Sequence, residues 1–246
     1  MARSSPFELL LPTLLQGGAL LVADENLGDA NFTALPKTTV AVSNRLEVAR
    51  AAQQAGLVGH FNDFDFQVLA AGSMRRICYR IAKEKPVTHH VINQARTLLV
   101  DGGELMLVGG QQEGIRSYAE KAAAYFGGFS AVRKHGLWYL ARMVKATDSA
   151  PAPLDDSDYT ALRPIAPRGQ KYIYSKPGLF GWDKIDRGST LLAETLTDLT
   201  SAARARWQPA NLLDLGCGYG YLALVAAEHG VPHVTATDNC AAALLA

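Results

Sequence analysis

The feature that most restricts this chain is the run Leu212-Leu213-Asp214-Leu215-Gly216-Cys217-Gly218-Tyr219-Gly220. A short apolar strand ends next to an acidic residue and passes into a turn with glycine at alternate positions. Glycine permits sharp turns with positive φ and lets a ligand come close to the backbone. The helix that follows such a turn offers unpaired N–H groups to negative ligand groups. A dinucleotide-binding G-x-G-x-x-G spacing would need a glycine where the chain has Tyr221. Asp214 is also unwelcome beside a pyrophosphate and welcome beside a cationic ligand. Cys217 lies inside the turn and reads as a small space-filling side chain rather than a nucleophile.

A strand–helix rhythm surrounds this motif. Strands are expected at 19–23, 39–42, 76–81 and 104–108, and helices after Asn44, over 87–100 and over 115–126. Asn44 is expected to cap its helix, with Leu46, Val48, Ala49 and Ala52 on the buried face and Gly56 as the stop. Pro86 suits a first helical turn. Residues 131–134 and 137–142 read as a closing antiparallel hairpin. Strands alternating with helices imply a parallel sheet covered on both faces, an α/β fold.

Composition then changes. Residues 147–157 are polar, acidic and proline-rich, which marks a linker. The expected organisation is a first domain at 1–146, a linker at 147–158 and a second domain from 159 to 246. In the second, residues 159–165 and 171–174 read as a hairpin. A loop at 176–189 leads into a helix over 190–205. Strands follow at 211–215 and 233–237, with a helix between them ending near His229.

The chain carries 24 Lys and Arg against 23 Asp and Glu, so net charge does not advertise a nucleic-acid partner. Cys78, Cys217 and Cys240 include no C-x-x-C pair, which argues against a disulfide framework or a thiolate zinc site and fits a reducing cytoplasm. His89 and His90 are adjacent and would diverge on a helix, so no metal is expected. The apolar run 7–15 contains Glu8 and Pro12 and reads as a core-packing segment, not a signal peptide. No window suits a membrane span.

The 212–220 run resembles motif I of class I S-adenosylmethionine-dependent methyltransferases. On that resemblance Asp214, Gly216, Cys217, Gly218 and Gly220 line the cofactor site. Asp238, with Asn239 beside it, matches the acidic residue that accepts hydrogen bonds from both ribose hydroxyls. The loop Pro177-Gly178-Leu179-Phe180-x-x-Asp183-x-Ile185-Asp186-x-Gly188-Ser189 narrows the resemblance to the rRNA guanine-N2 methyltransferases. Both the C type, specific for small-subunit rRNA, and the G type, specific for large-subunit rRNA, carry it. It implies that Phe180 walls the pocket and that Asp186, Gly188 and Ser189 lie near it. A helix N-cap at Asp186 or Ser189 is the other reading of these residues, and the two are compatible.

The resemblance implies tandem Rossmann-like methyltransferase domains, the first complete but degenerate, the second incomplete. An internal comparison agrees. Residues 20–28 parallel 212–218 with one glycine, where the second copy has two and a third at Gly220, and 40–44 parallels 235–239 with Ser43 in place of Asp238. After the strand at 76–81 an active enzyme of this class shows Asn-Pro-Pro-aromatic, and here the chain reads Ala82-Lys83-Glu84-Lys85-Pro86. The first domain is therefore expected not to bind the cofactor. Arg75, Arg76, Arg80, Lys83 and Lys85 form a locally basic stretch, either an RNA-binding face or a solvated surface.

The implied reaction is methyl transfer to the exocyclic N2 of a guanosine in ribosomal RNA, with ribosomal RNA or the small ribosomal subunit as partner and a monomer when complete. The catalytic Asn-Pro-Pro-aromatic turn is expected beyond Ala246, so the chain as it stands is expected to be inactive. A non-catalytic RNA-binding module, or a methyltransferase of a small molecule or protein, are the competing readings.

Overall fold

Successive side chains of a strand point to opposite faces, so a strand apolar at every position belongs inside a sheet covered on both sides. Strand β1 (Ala19–Ala23) is such a run and is buried throughout. A computed structural model describes residues 5–147, 151–202 and 209–246. The chain divides into two compact units between Tyr159 and Thr160.

In the first unit β1 is joined by β2 (Val40–Ser43), β3 (Val58–Phe61), β4 (Met74–Arg80), β5 (Leu99–Gly110), β6 (Gly127–His135) and β7 (Trp138–Lys145). The sheet order is β3-β2-β1-β4-β5-β7-β6. The first five are mutually parallel, and β7 runs antiparallel to both its neighbours. Helices α1 (Pro6–Leu14) and α2 (Leu46–Gln54) belong to one apolar core with Leu21, Cys78, Met106 and Val108. Helices α3 (Lys85–Leu98) and α4 (Ile115–Phe126) belong to the other, with Leu20, Val22, Tyr79 and Leu107.

Several expectations shift. The N-terminal apolar run is a helix, started by a reciprocal cap in which Glu8 N donates to Ser5 Oγ and Ser5 N to Glu8 Oε2. Arg45, not Asn44, occupies the N-cap position of α2 and its side chain makes no cap bond. Helix α3 stops at Leu98, because Leu99 is extended and pairs with Met74 as the first residue of β5. Strand β3 had no counterpart in the sequence reading.

The described part of the acidic linker lies against the first unit. Asn93 and Leu154 exchange two hydrogen bonds at 2.8 and 2.9 Å. His89 Nδ1 lies 2.6 Å from the carbonyl of Asp155, and His90 Nδ1 lies 3.1 Å from Asp156 Oδ2. Tyr159, expected to open the second domain, is buried in the first unit's core, and its ring stacks on His90 at 4.4 Å. Residues 148–150 of the expected linker are outside the described residues.

The second unit contains the antiparallel pair β8 (Arg163–Arg168) and β9 (Lys171–Ser175), helix α5 (Arg187–Ala202), and the parallel pair β10 (Asn211–Leu215) and β11 (His233–Thr237) flanking α6 (Tyr221–Glu228). Residues 203–205 of the expected helix are outside the described residues. Ile173, Ala193, Tyr221 and Val225 make a small core. Leu213 and Leu215 of β10 are 61% and 80% exposed, whereas every residue of β1 is buried. The cause is topological: β1 lies between β2 and β4, and β10 pairs with β11 alone among the described strands.

Candidate functional site

The turn after β10 is built by its glycines. Gly216, Gly218 and Gly220 have φ of +78°, +54° and +75°, a region that side-chain-bearing residues occupy at a cost. A Cβ placed on any of the three would meet nothing within 4 Å, so this side of the turn is open. Gly216 N and Cys217 N both donate to Thr237 O, at 2.8 and 3.1 Å, tying the turn to the end of β11.

Two carboxylates hold the turn. Asp214 is buried, and its Oδ2 accepts from Ala223 N in α6 at 3.0 Å. Burial raises the Asp214 carboxyl above the ordinary range, and the charge of Asp238 pushes the same way. Asp238 Oδ2 accepts from Gly218 N at 2.9 Å and Oδ1 from Cys240 N at 2.8 Å. Each carboxylate oxygen accepts more than one hydrogen bond, so Asp238 keeps acceptor capacity after both. Burial together with the two carboxylates raises the Cys217 thiol, which fits a space-filling role. Asn239 is exposed at the same edge.

The loop at 176–189 reaches this centre from the other side. Leu179, Cys240 and Ala242 are buried together, with Trp182 and Tyr219 packed against them. Phe180 is 82% exposed and walls nothing in this structure. Asp186 starts α5: its Oδ1 accepts from Gly188 N at 2.9 Å and Ser189 N at 3.1 Å, and Thr190 N donates to its carbonyl at 3.0 Å. The Ser189 hydroxyl, which also donates to Asp186, leads the effects that lower the Asp186 carboxyl. The N-cap reading is therefore realised.

Sequence reasoning missed Lys176, Tyr219 and Cys240. Lys176 is buried at the start of the loop, and burial pulls its ammonium down to about 8. The apolar positions around Cys240 were the available signal, since a cysteine with a raised hydropathy neighbourhood belongs in a core.

The first unit shows what a filled version looks like. Equating Leu20 with Leu212, the strand registers equate Val40 with Val234 and Ser43 with Thr237. Asn44, not Ser43, then stands where the second unit has Asp238, because the register between the strands fixes the match and sequence spacing alone slipped it by one. Asp24 follows β1 and caps a short turn of helix, Asn26 N donating to its Oδ1 at 2.9 Å. Asp24 and Asn44 are both buried.

The basic stretch of the first unit is dispersed. The strand register shifts between Met74 and Arg76, and Arg75 and Arg76 line one hollow together with the carboxylate residues Asp101 and Glu104. Arg80 is 4% exposed and is ion-paired with Glu113, which removes it from any RNA-contacting face. Lys83 is exposed, and Lys85 is 3.7 Å from Asp155. Among the described residues no group of His, Cys, Asp and Glu is placed to hold a metal ion, and no helix is long and apolar enough to cross a membrane. Burial lowers the His89 imidazole, whose Nδ1 already faces the Asp155 carbonyl.

Comparison with known proteins gives a consistent picture. The chain is 31% identical over 237 residues to ribosomal RNA small subunit methyltransferase C of Pseudomonas syringae pv. tomato, covering 92% of this chain and 63% of that protein. It is 29% identical over 184 residues to the protein of the same name from Mannheimia succiniciproducens, covering 73% of this chain and 51% of that one. A solved structure of the T. thermophilus 16S rRNA N2 G1207 methyltransferase (RsmC), in complex with AdoMet and guanosine, shares the fold. Its TM-score is 0.74 at 24% identity, over 95% of this chain and 63% of that one. The chain thus spans 51% to 63% of the length of these proteins. Family models match residues 9–153 as the N-terminal methyltransferase small domain and 170–246 as the methyltransferase small domain. On both matches, the chain belongs to the methyltransferase small domain family.

Proposed function

We propose that this chain carries the cofactor-binding segment, and the inert companion domain, of a cytoplasmic enzyme that methylates ribosomal RNA at the exocyclic N2 of a guanosine. One observation carries the reading: the two carboxylates Asp214 and Asp238 brace an open glycine turn at the carboxyl edge of β10 and β11. That edge is where ligands of parallel α/β sheets bind.

The residues present fit S-adenosylmethionine. Asp238 has acceptor capacity for the ribose hydroxyls, and the open sides of Gly216, Gly218 and Gly220 admit a ligand to the backbone. Asp214 adds a negative field suited to a cationic ligand. When bound, the cofactor supplies an electrophilic methyl group on a sulfonium. Leu179 and Tyr219 pack the flank of the turn and keep it in place. In the first unit Asn44 replaces the carboxylate and Asp24 is engaged with Asn26, so this unit binds no cofactor.

A guanine amine is a weak nucleophile, because its lone pair is delocalised into the ring. Rate enhancement then comes mainly from orientation, which converts a bimolecular encounter into an aligned one. No Asn-Pro-Pro-aromatic run occurs in the 246 residues, so these residues bind and do not orient the base. Isothermal calorimetry with S-adenosylmethionine tests the reading. Binding by the unaltered chain that is lost in Asp238→Ala and kept in Asn44→Ala supports it. Equal loss in both variants, or no binding by the unaltered chain, overturns it.

A further inference from the structure

We propose that the segment 154–159 is a proton-operated strap, fastened to α3 while the His90 ring carries a proton on each nitrogen and loosened when the ring loses one. The strap ends where the first unit ends, so its release lengthens the free connection to the second. The two adjacent histidines of α3 take opposite parts in it.

His90 is buried, and both its ring nitrogens face acceptors. Nδ1 lies 3.1 Å from Asp156 Oδ2 on the strap, and Nε2 lies 3.2 Å from the carbonyl of Phe64. Neither an ionised carboxylate nor a carbonyl has a proton to give, and a neutral imidazole has one N–H, so it can satisfy only one of them. The imidazolium donates to both and sets its charge against that of Asp156. The ring stacks on Tyr159 of the strap at 4.4 Å and on Phe66 at 6.4 Å, which fixes its plane. Phe64 is buried, so water is no substitute for the ring as its partner. The neutral tautomer that keeps this carbonyl satisfied turns the bare Nδ1 toward the Asp156 carboxylate. The strap is then the contact that is lost.

His89 is built the other way. Its Nδ1 faces the carbonyl of Asp155 at 2.6 Å, and its Nε2 is buried with no hydrogen-bond partner among the described residues. One proton on Nδ1 satisfies this ring, and a second would be buried without an acceptor. Burial lowers the His89 imidazole, and the charges of Lys121 on α4 and Lys85 on α3 act the same way. His89 therefore fastens the strap as a neutral ring, and the pH dependence falls to His90. The other titratable groups of this cluster are Tyr159 and Asp63, bonded to each other at 2.7 Å, and Lys85, 3.7 Å from Asp155. The Asp63 carboxylate favours a charged His90, and the half-exposed Lys85 ammonium opposes it. Asp65 and Asp158 are exposed.

The test follows chymotrypsin cleavage within 151–159 of the whole chain from about pH 5 to 8, the range in which histidines titrate. Each rate is divided by that of an unstructured peptide of the same sequence, and the protonation of His90 is read from its ring signals by NMR. Docking uses the proton, so by linkage it weakens as pH rises. Normalised cleavage is expected to climb in step with the loss of the His90 proton, by up to about tenfold per pH unit, the limit for one proton. Asp156→Asn is expected to abolish the climb, because an amide can donate to the bare Nδ1 of a neutral ring. His89→Asn keeps a donor for the Asp155 carbonyl and is expected to retain the climb. Cleavage that stays flat in the unaltered chain, or a strap that stays protected while NMR shows a neutral His90, overturns the proposal. A climb retained in Asp156→Asn also overturns it, since the effect would then belong to another titration, such as that of Asp24.

Discussion

The Tyr159 hydroxyl donates to Asp63 Oδ1 at 2.7 Å, joining the last residue of the first unit to a buried carboxylate 96 positions earlier. Both side chains are buried, so neither group has water as a ready substitute. Tyr159→Phe keeps the ring stacked on His90 and removes only the donor. It is expected to cost about 1–3 kcal/mol in urea denaturation and to speed proteolysis within 151–159. Unchanged stability and cleavage would show that the strap is held by its other contacts alone.

Asp24 sets a second expectation. Burial raises its carboxyl from 3.8 to about 6, with Glu25 adding to the rise. The unfolded carboxyl ionises at the ordinary value, so between about pH 4 and 6 the folded state holds the extra proton and stability falls as pH rises. The fall is expected to be on the order of 3 kcal/mol. Asp24→Asn retains an acceptor for Asn26 and removes the titration. Its calorimetric unfolding temperature should exceed the unaltered chain's at neutral pH and match it near pH 4.

Lys176 titrates with the opposite slope. Its folded value lies near 8 and its ordinary value is 10.5. Between these the unfolded chain binds more protons, and stability rises with pH. Denaturation followed at Trp182, with Trp138 and Trp207 replaced by Phe, should show a gain of up to about 3 kcal/mol from neutral pH to about pH 10. Lys176→Met should flatten the profile. A flat profile in the unaltered chain would contradict the burial of the ammonium.

Gly218→Ala separates the turn's conformation from its openness. Alanine at φ +54° costs about 1–2 kcal/mol. The new methyl points into space that is otherwise empty. Stability should fall by no more than that amount, while affinity for S-adenosylmethionine should drop about tenfold or more. A fall in stability with full affinity would place the ligand on another side of the turn.

The strands β10 and β11 and helix α4 were legible residue for residue, because each is bounded by glycine or proline and carries one clear pattern. Strand β3 was not. It is only four residues long and half exposed, so it has neither an apolar run nor alternation to detect. The acidic, proline-rich stretch after residue 147 was read from composition, which cannot register the specific partners Asn93, His89 and His90 that seat it. Arg80 looked like surface charge because its acceptor, Glu113, lies 33 positions away. The site itself was legible for the opposite reason. Its glycines and carboxylates act through backbone geometry that local sequence dictates, whereas the offset between Asn44 and Ser43 depends on strand register.

Asp238 is held through both its oxygens by amides of the motif, Gly218 N and Cys240 N. A side chain clamped in this way has lost its rotamer freedom when the chain folds. A ligand arriving at it meets an acceptor already aimed, and the ordering cost is not charged against its affinity. Selection for tight cofactor binding would therefore act on residues that shape the backbone around Asp238 as strongly as on Asp238 itself.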